Sequence, residues 1–174
     1  MISIPTLETE RLILRGWRES DFDGYAALMA DNRARFVGGP VEREDAWRKM
    51  AGIAGHWLLR GYGTFAIESK ADGRFCGYCG PWFPYGFPEP EIGWALAAHA
   101  EGKGLMSEAG PAAVTHAFDT LRWPTAVSFI VPENTRSIRV AERLGAKLDG
   151  TAEIRGKMCQ VWRHPSPSET STLH

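Results

Sequence analysis

Apolar residues in this chain switch between two spacings. Short apolar runs flanked by glycine or turn residues read as strands, and stretches with an apolar residue every three to four positions read as helices. Arg11-Leu12-Ile13-Leu14-Arg15 predicts an opening strand that stops at Gly16. Phe22, Tyr25, Ala26 and Met29 share one helical face, and Ser20 with Asp23 has the spacing of a capping box for a helix through Met29. Beyond the Gly38-Gly39-Pro40 break, Ala46, Met50, Ile53 and Trp57 define a second helix. Residues 64–68 and 75–79 are short strands around the turn Ala71-Asp72-Gly73.

Residues 81–90 carry four prolines and four aromatics. The prolines exclude a helix or a central strand there. The aromatics either rim a ligand or partner surface or cap the core. Glu91–Leu96 is the next strand, followed by a glycine turn and a helix to about Leu121. Pro111 inside that helix predicts a kink or an irregularity. Residues 127–131 read as a buried strand, 134–144 as a helix stopped by Gly145, and 146–151 with 158–163 as a hairpin. This order predicts an α/β layout with a mixed sheet. A single domain is expected over residues 1–165, with a Ser/Thr/Pro-rich tail at 166–174 expected to be disordered.

Composition narrows the function classes. The chain has 174 residues and a formal net charge of −1, with no basic block to suit nucleic acid or a membrane surface. No apolar run is long enough to span a bilayer, and Met1-Ile2-Ser3-Ile4-Pro5 is not a secretion signal, so a cytoplasmic location is expected. Three cysteines make no disulfide framework. Cys76 and Cys79 spell C-x-x-C within a strand, where positions three apart point to opposite faces. With no second pair nearby, structural burial is expected and no metal site.

Candidate chemistry centres on Glu101-Gly102-Lys103-Gly104-Leu105-Met106-Ser107-Glu108-Ala109, a glycine turn running into a helix directly after a strand. Glycines let a ligand approach the backbone, and the helix N-terminus adds unpaired N–H donors and partial positive charge, which together suit phosphate. The turn lacks the G-x-x-x-x-G-K-[ST] string and the third glycine of a dinucleotide loop, which disfavours a nucleotide. Asn134 stands where a helix begins and suits an N-cap. His99 and His116 have no recognisable partners and read as ordinary surface or core residues.

In this order and spacing, Glu91-Ile92-Gly93-Trp94, Gly102-Lys103-Gly104 with Ser107-Glu108-Ala109, Asn134-Thr135-Arg136-Ser137 and Ala141-Glu142-Arg143-Leu144-Gly145 resemble the GNAT superfamily of N-acetyltransferases. The similarity is greatest to its ribosomal-protein (RimJ/RimL-like) branch and covers nearly the whole chain. It implies a mostly antiparallel mixed sheet flanked by helices, with splayed central strands, and acetyl-CoA as co-substrate without a metal. It also implies an amine acceptor, either a protein N-terminus or a small molecule. Backbone N–H groups of Trp94, Ala95 and Leu96 would serve the oxyanion and the pantetheine arm. Residues Gly102, Lys103, Gly104, Leu105, Met106 and Ser107 would hold the pyrophosphate, Asn134 the cofactor arm and Ser137 the departing sulfur. Glu91 is the candidate base, ahead of Glu89 and Glu108.

Two positions depart from the family pattern of that turn, where Glu101 replaces Arg or Gln and Met106 replaces a small residue. A third departure, Ala141 at the usual tyrosine, leaves Ser137 as the well-placed hydroxyl. The acceptor is expected to be read by residues 81–90 and by the helices around Phe36 and Trp57. A non-catalytic acyl-CoA sensor is the competing class, and the resemblance leaves monomer or homodimer open.

Overall fold

The short apolar runs pair into one eight-stranded sheet in a computed structural model that describes residues 2–170. The strands are β1 (Leu7–Glu8), β2 (Leu12–Arg15), β3 (Phe65–Ser69), β4 (Phe75–Trp82), β5 (Glu91–Leu96), β6 (Val127–Ile130), β7 (Lys147–Ile154) and β8 (Lys157–Arg163). Their order across the sheet is β1-β2-β3-β4-β5-β6-β8-β7. Every neighbouring pair is antiparallel except β5 and β6, which run parallel. The mixed, mostly antiparallel layout expected from the sequence is the one observed.

Helices cover both faces. Helices α1 (Phe22–Ala30) and α2 (Arg43–Arg60) bury Tyr25, Met29, Ala46 and Met50 in a cluster that Tyr78, Trp82 and Ala95 of the sheet pack against. Helix α3 (Leu105–Thr115) buries Leu105, Met106, Ala109 and Ala113 with Leu12, Leu14, Phe65, Ile67 and Ile92 on the other face. Helix α4 (Thr135–Arg143) adds Ala141 beside Ile130 and Trp162. A last helical turn, α5 (Pro167–Thr170), lies in the segment expected to be disordered, and residues 171–174 of that segment lie outside the described residues.

Long-range pairing changes several local expectations. Strand β4 continues through Pro81 to Trp82 although the prolines argued against a strand. Pro81 pairs with Ile92 on one side, while β3 begins only at Phe65 opposite Cys79, so the proline lacks a ladder neighbour on its other side. Cys76 is an extra residue between Gly77, opposite Ile67, and Phe75, opposite Glu68. That bulge brings Cys76 and Cys79 into one buried cluster rather than onto opposite faces. A 3₁₀ turn at Glu19–Asp21, not a Ser20 capping box, leads into α1: the Asp21 carboxylate accepts the Arg18 N–H at 2.8 Å and grips buried Arg15 through two bonds of 2.8 and 2.9 Å, and α1 has no side-chain cap. Helix α3 runs through Pro111, and the departure from α geometry comes afterwards, as a π-helical turn at His116–Thr120.

Candidate active site

Strands β5 and β6 meet at a single pair, Glu91 opposite Val127, and then diverge. Side chains bridge the start of the gap. The Ser128 hydroxyl donates to the Ile92 carbonyl at 2.7 Å, and the Glu91 carboxyl accepts the Phe129 N–H at 3.0 Å. Because Ile92 turns its carbonyl toward β6, alternation along the strand turns the backbone groups of Trp94 and Leu96 the same way. Those of Ala95 point to β4. The Ala97 N–H bonds the Cys76 carbonyl at 2.8 Å, and a side chain at Gly77 would meet the Ala95 carbonyl at 2.2 Å. Of the three residues expected to offer N–H groups, Ala95 therefore contributes only its methyl to the cleft wall.

The cleft beyond the splay has a volume of about 1090 Å³ and is walled by β5, the glycine turn, α4 and the turn Asn32–Phe36 after α1. Gly102 and Gly104 both have φ of +72°, in the left-handed region that glycine adopts without steric cost. Gly104 precedes α3 with no side-chain cap, leaving the first N–H groups of the helix unpaired by a cap. Met106 is buried in the core with Leu105, so its bulk points away from the turn. Lys103 and Ser107 are exposed. The Glu101 carboxylate holds Arg33 at 2.9 Å and Arg136 at 2.5 Å, tying three walls of the cleft together.

Ser137 lies in the first turn of α4. The Asn134 side chain accepts the Ser137 N–H at 3.3 Å and donates to the Ser137 Oγ at 3.0 Å, and the Trp94 indole N–H donates to the same oxygen at 3.3 Å. Asn134 is thus the cap that its type predicts and a partner of the hydroxyl as well. Glu91 stands on the opposite face of β5 from Trp94. Packing around its carboxyl disfavours the charge and pushes its pKa up to about 8, against the Phe129 N–H and the Arg155 cation, which pull it down. A Cβ at Gly93 would lie 3.5 Å from the Glu91 Oε1, so the glycine leaves room beside that carboxyl.

A family model for the acetyltransferase (GNAT) domain matches residues 11–147. The chain belongs to the GNAT acetyltransferase family. It is an acyltransferase by that membership. An acetyltransferase from Agrobacterium tumefaciens is 38% identical in sequence, with a TM-score of 0.86 over 95% of this chain and 97% of its own. The uncharacterized protein YkkB of Bacillus subtilis is 32% identical over 62% of this chain, which spans 64% of that relative's length. The fold is shared with RimL, a ribosomal L7/L12 alpha-N-protein acetyltransferase solved with coenzyme A, at a TM-score of 0.75 and 21% identity over 93% of this chain and 98% of that one.

The other acidic candidates of this acetyltransferase are committed to structure. Glu108 accepts from Thr9 at 2.5 Å and from the Arg11 N–H at 2.6 Å and Nε at 2.7 Å, and Glu89 pairs with Arg163 at 2.9 Å. Trp57, expected near the acceptor, is buried with its indole on the Thr64 carbonyl at 3.0 Å, whereas Phe36 lines the cleft. In the aromatic loop, Trp82 stacks on His56 with ring centres 4.4 Å apart and Phe87 packs on Phe129, while Tyr85 is wholly exposed. His116 is a core residue edge-on to Phe65, and His99 is half-buried in the cleft wall. Sequence reasoning missed Ser128, His164, Arg33 and Arg136. Ser128 pairs with His164, and Arg33 and Arg136 meet Glu101, across long stretches of chain that no local spacing marks; the one local bond, Arg33 to Asp31, does not point to the cleft.

Proposed function

We propose that the enzyme transfers the acetyl group of acetyl-CoA to a primary amine by direct attack on the thioester. The observation that carries this is the splay between β5 and β6, edged by free backbone donors and by the Ser137 hydroxyl. A fully paired strand would have no donors to offer. The Trp94 and Leu96 N–H groups, left without a ladder partner, stabilise the charge that develops on the carbonyl oxygen and hold the pantetheine arm. Residues 102–107 take the pyrophosphate on backbone N–H groups, with the Lys103 ammonium alongside. Asn134 and Ser137 complete the site at the thioester end.

The roles of Glu91 and Ser137 follow from their opposite faces. As the amine nitrogen bonds to the acetyl carbon, Glu91 takes the proton that the nitrogen sheds, directly or through a water. As the carbon–sulfur bond breaks, Ser137 gives its hydroxyl proton to the sulfur and regains one from solvent. The products are an N-acetyl amine and a free thiol. The acceptor is the α-amine of a protein or a small-molecule amine, and RimL, with the same fold, is a precedent for the first. The cytoplasm suits the three unpaired cysteines, all buried.

Ser137→Ala tests the assignment. Thiol release from acetyl-CoA should slow by about 10²-fold, the low end for loss of an acid, with coenzyme affinity by calorimetry kept within about threefold, the loss of at most one weak contact. Unchanged turnover would remove Ser137 from the reaction.

A further inference from the structure

The hydrogen bonds around Ser137 fix more than its place; they fix the direction of its proton. A serine hydroxyl has one hydrogen to give and two lone pairs to receive. Here Oγ receives the Trp94 indole N–H at 3.3 Å and the Asn134 amide at 3.0 Å. The indole N–H only donates, so it cannot exchange roles with the serine. The Asn134 amide cannot turn over without loss either. Its Oδ1 accepts the Ser137 backbone N–H at 3.3 Å, which leaves Nδ2 facing Oγ. With both lone pairs committed, the hydroxyl hydrogen is directed away from both donors. A first-turn serine often returns its hydrogen to a carbonyl of the preceding turn. Among the described residues Ser137 makes no such bond, and both it and Trp94 line the cleft.

The indole is itself held from behind. Its ring stands edge-on to His164, with centroids 6.2 Å apart at 78°. His164 is buried, and its Nε2 lies 2.8 Å from the Ser128 Oγ, the hydroxyl that bridges to Ile92 at the closed end of the splay. Because Ser128 donates its one hydrogen to Ile92, its oxygen accepts from His164, which puts the ring proton on Nε2. A continuous set of contacts therefore runs from the vertex of the splay, through Ser128 and His164, to Trp94 and the Ser137 oxygen.

We propose that Trp94 is a positioning residue for proton delivery, its indole N–H turning the Ser137 hydroxyl hydrogen into the cleft. The inference rests on the role given to Ser137 above. Backbone donation by Trp94 is a separate matter, since substitution of its side chain leaves that N–H in place.

A double-mutant cycle separates the two claims. Trp94→Phe keeps an aromatic ring and removes the donor. It should lower kcat about five- to tenfold, the size of one lost neutral hydrogen bond, with the KM for acetyl-CoA unchanged. In a Ser137→Ala background the same substitution should cost nothing further. If Ser137→Ala alone leaves kcat intact, the reading of Ser137 fails, and this inference with it. If Ser137→Ala is slow but Trp94→Phe is not, or costs the same with and without the hydroxyl, the positioning role is overturned while Ser137 stands. Nuclear magnetic resonance checks the contact without a Trp94 variant. The Trp94 indole N–H signal should shift in folded Ser137→Ala, and an unmoved signal overturns the proposal.

Discussion

Glu91 carries two opposed demands on one carboxyl. Its pKa is raised from an ordinary 4.5 to about 8, so the folded protein holds that proton more tightly than the unfolded chain does. The resulting stability is full below pH 4.5 and is lost as pH rises through about 8, the range in which the carboxylate becomes available as a base. An α-amine with a pKa of about 8 also becomes neutral there. With such an acceptor, kcat/KM of the wild type should rise with the loss of two protons below pH 8. Glu91→Gln should rise with the loss of one and turn over at least about 10²-fold slower. The variant should also be the more heat-resistant at pH 9, with the difference fading toward pH 5. Identical rate profiles would remove Glu91 as base. At this scale the sequence was informative about residue type. Asn134 read as a helix cap and is one, and its second bond to Ser137 is a consequence of the same cap. Ser128 and His164 were illegible, because a buried pair joining residues 36 apart leaves no mark on either segment.

The strand–turn–helix unit from β5 to α3 is where local chemistry and tertiary structure agree best. Glycine spacing marked the turn, and both glycines take a backbone conformation that favours glycine. Met106 departs from the family pattern without consequence for the turn, since its side chain joins the core below. Glu101 departs with one: it gathers Arg33 and Arg136 onto its carboxylate. Gly104→Ala should impose the left-handed strain of about 1–2 kcal/mol, and Gly104→Val should add bulk over the donors. Calorimetry should give acetyl-CoA affinities falling in the order glycine, alanine, valine, with valine at least tenfold weaker than glycine, a loss of about 1.4 kcal/mol. Equal affinities would put the phosphates elsewhere. Strand β4 was less legible. Its run through Pro81 depends on where β3 starts, and its bulge at Cys76 on the register with Ile67 and Glu68. Both are properties of pairing, which neither strand's own pattern contains.

Across the whole molecule, the sheet order places the parallel pair between two antiparallel groups, and the cleft lies where that pair opens. The helices assigned to opposite faces leave two approaches. On one side α3 and α4 carry the turn and Ser137, and on the other α1, α2 and the turn Asn32–Phe36 face Glu91's side of β5. The motifs proposed for the donor are local and ordered in the sequence, and the fold brings them to one cleft. The acceptor side was not legible: residues 81–90 divide between core packing and an exposed Tyr85, and Trp57 serves the core. Loops set the acceptor in a shared fold, so fold similarity leaves it open. The most direct measurement is thiol release from acetyl-CoA across N-terminal peptides, polyamines and amino sugars, with mass spectrometry of the acceptor. Release should depend on a particular amine and give a matching N-acetyl product, both greatly reduced in Ser137→Ala. Tight binding of acetyl-CoA with the thioester left intact across the whole panel would contradict acetyl transfer and favour a sensor that binds the coenzyme without using it.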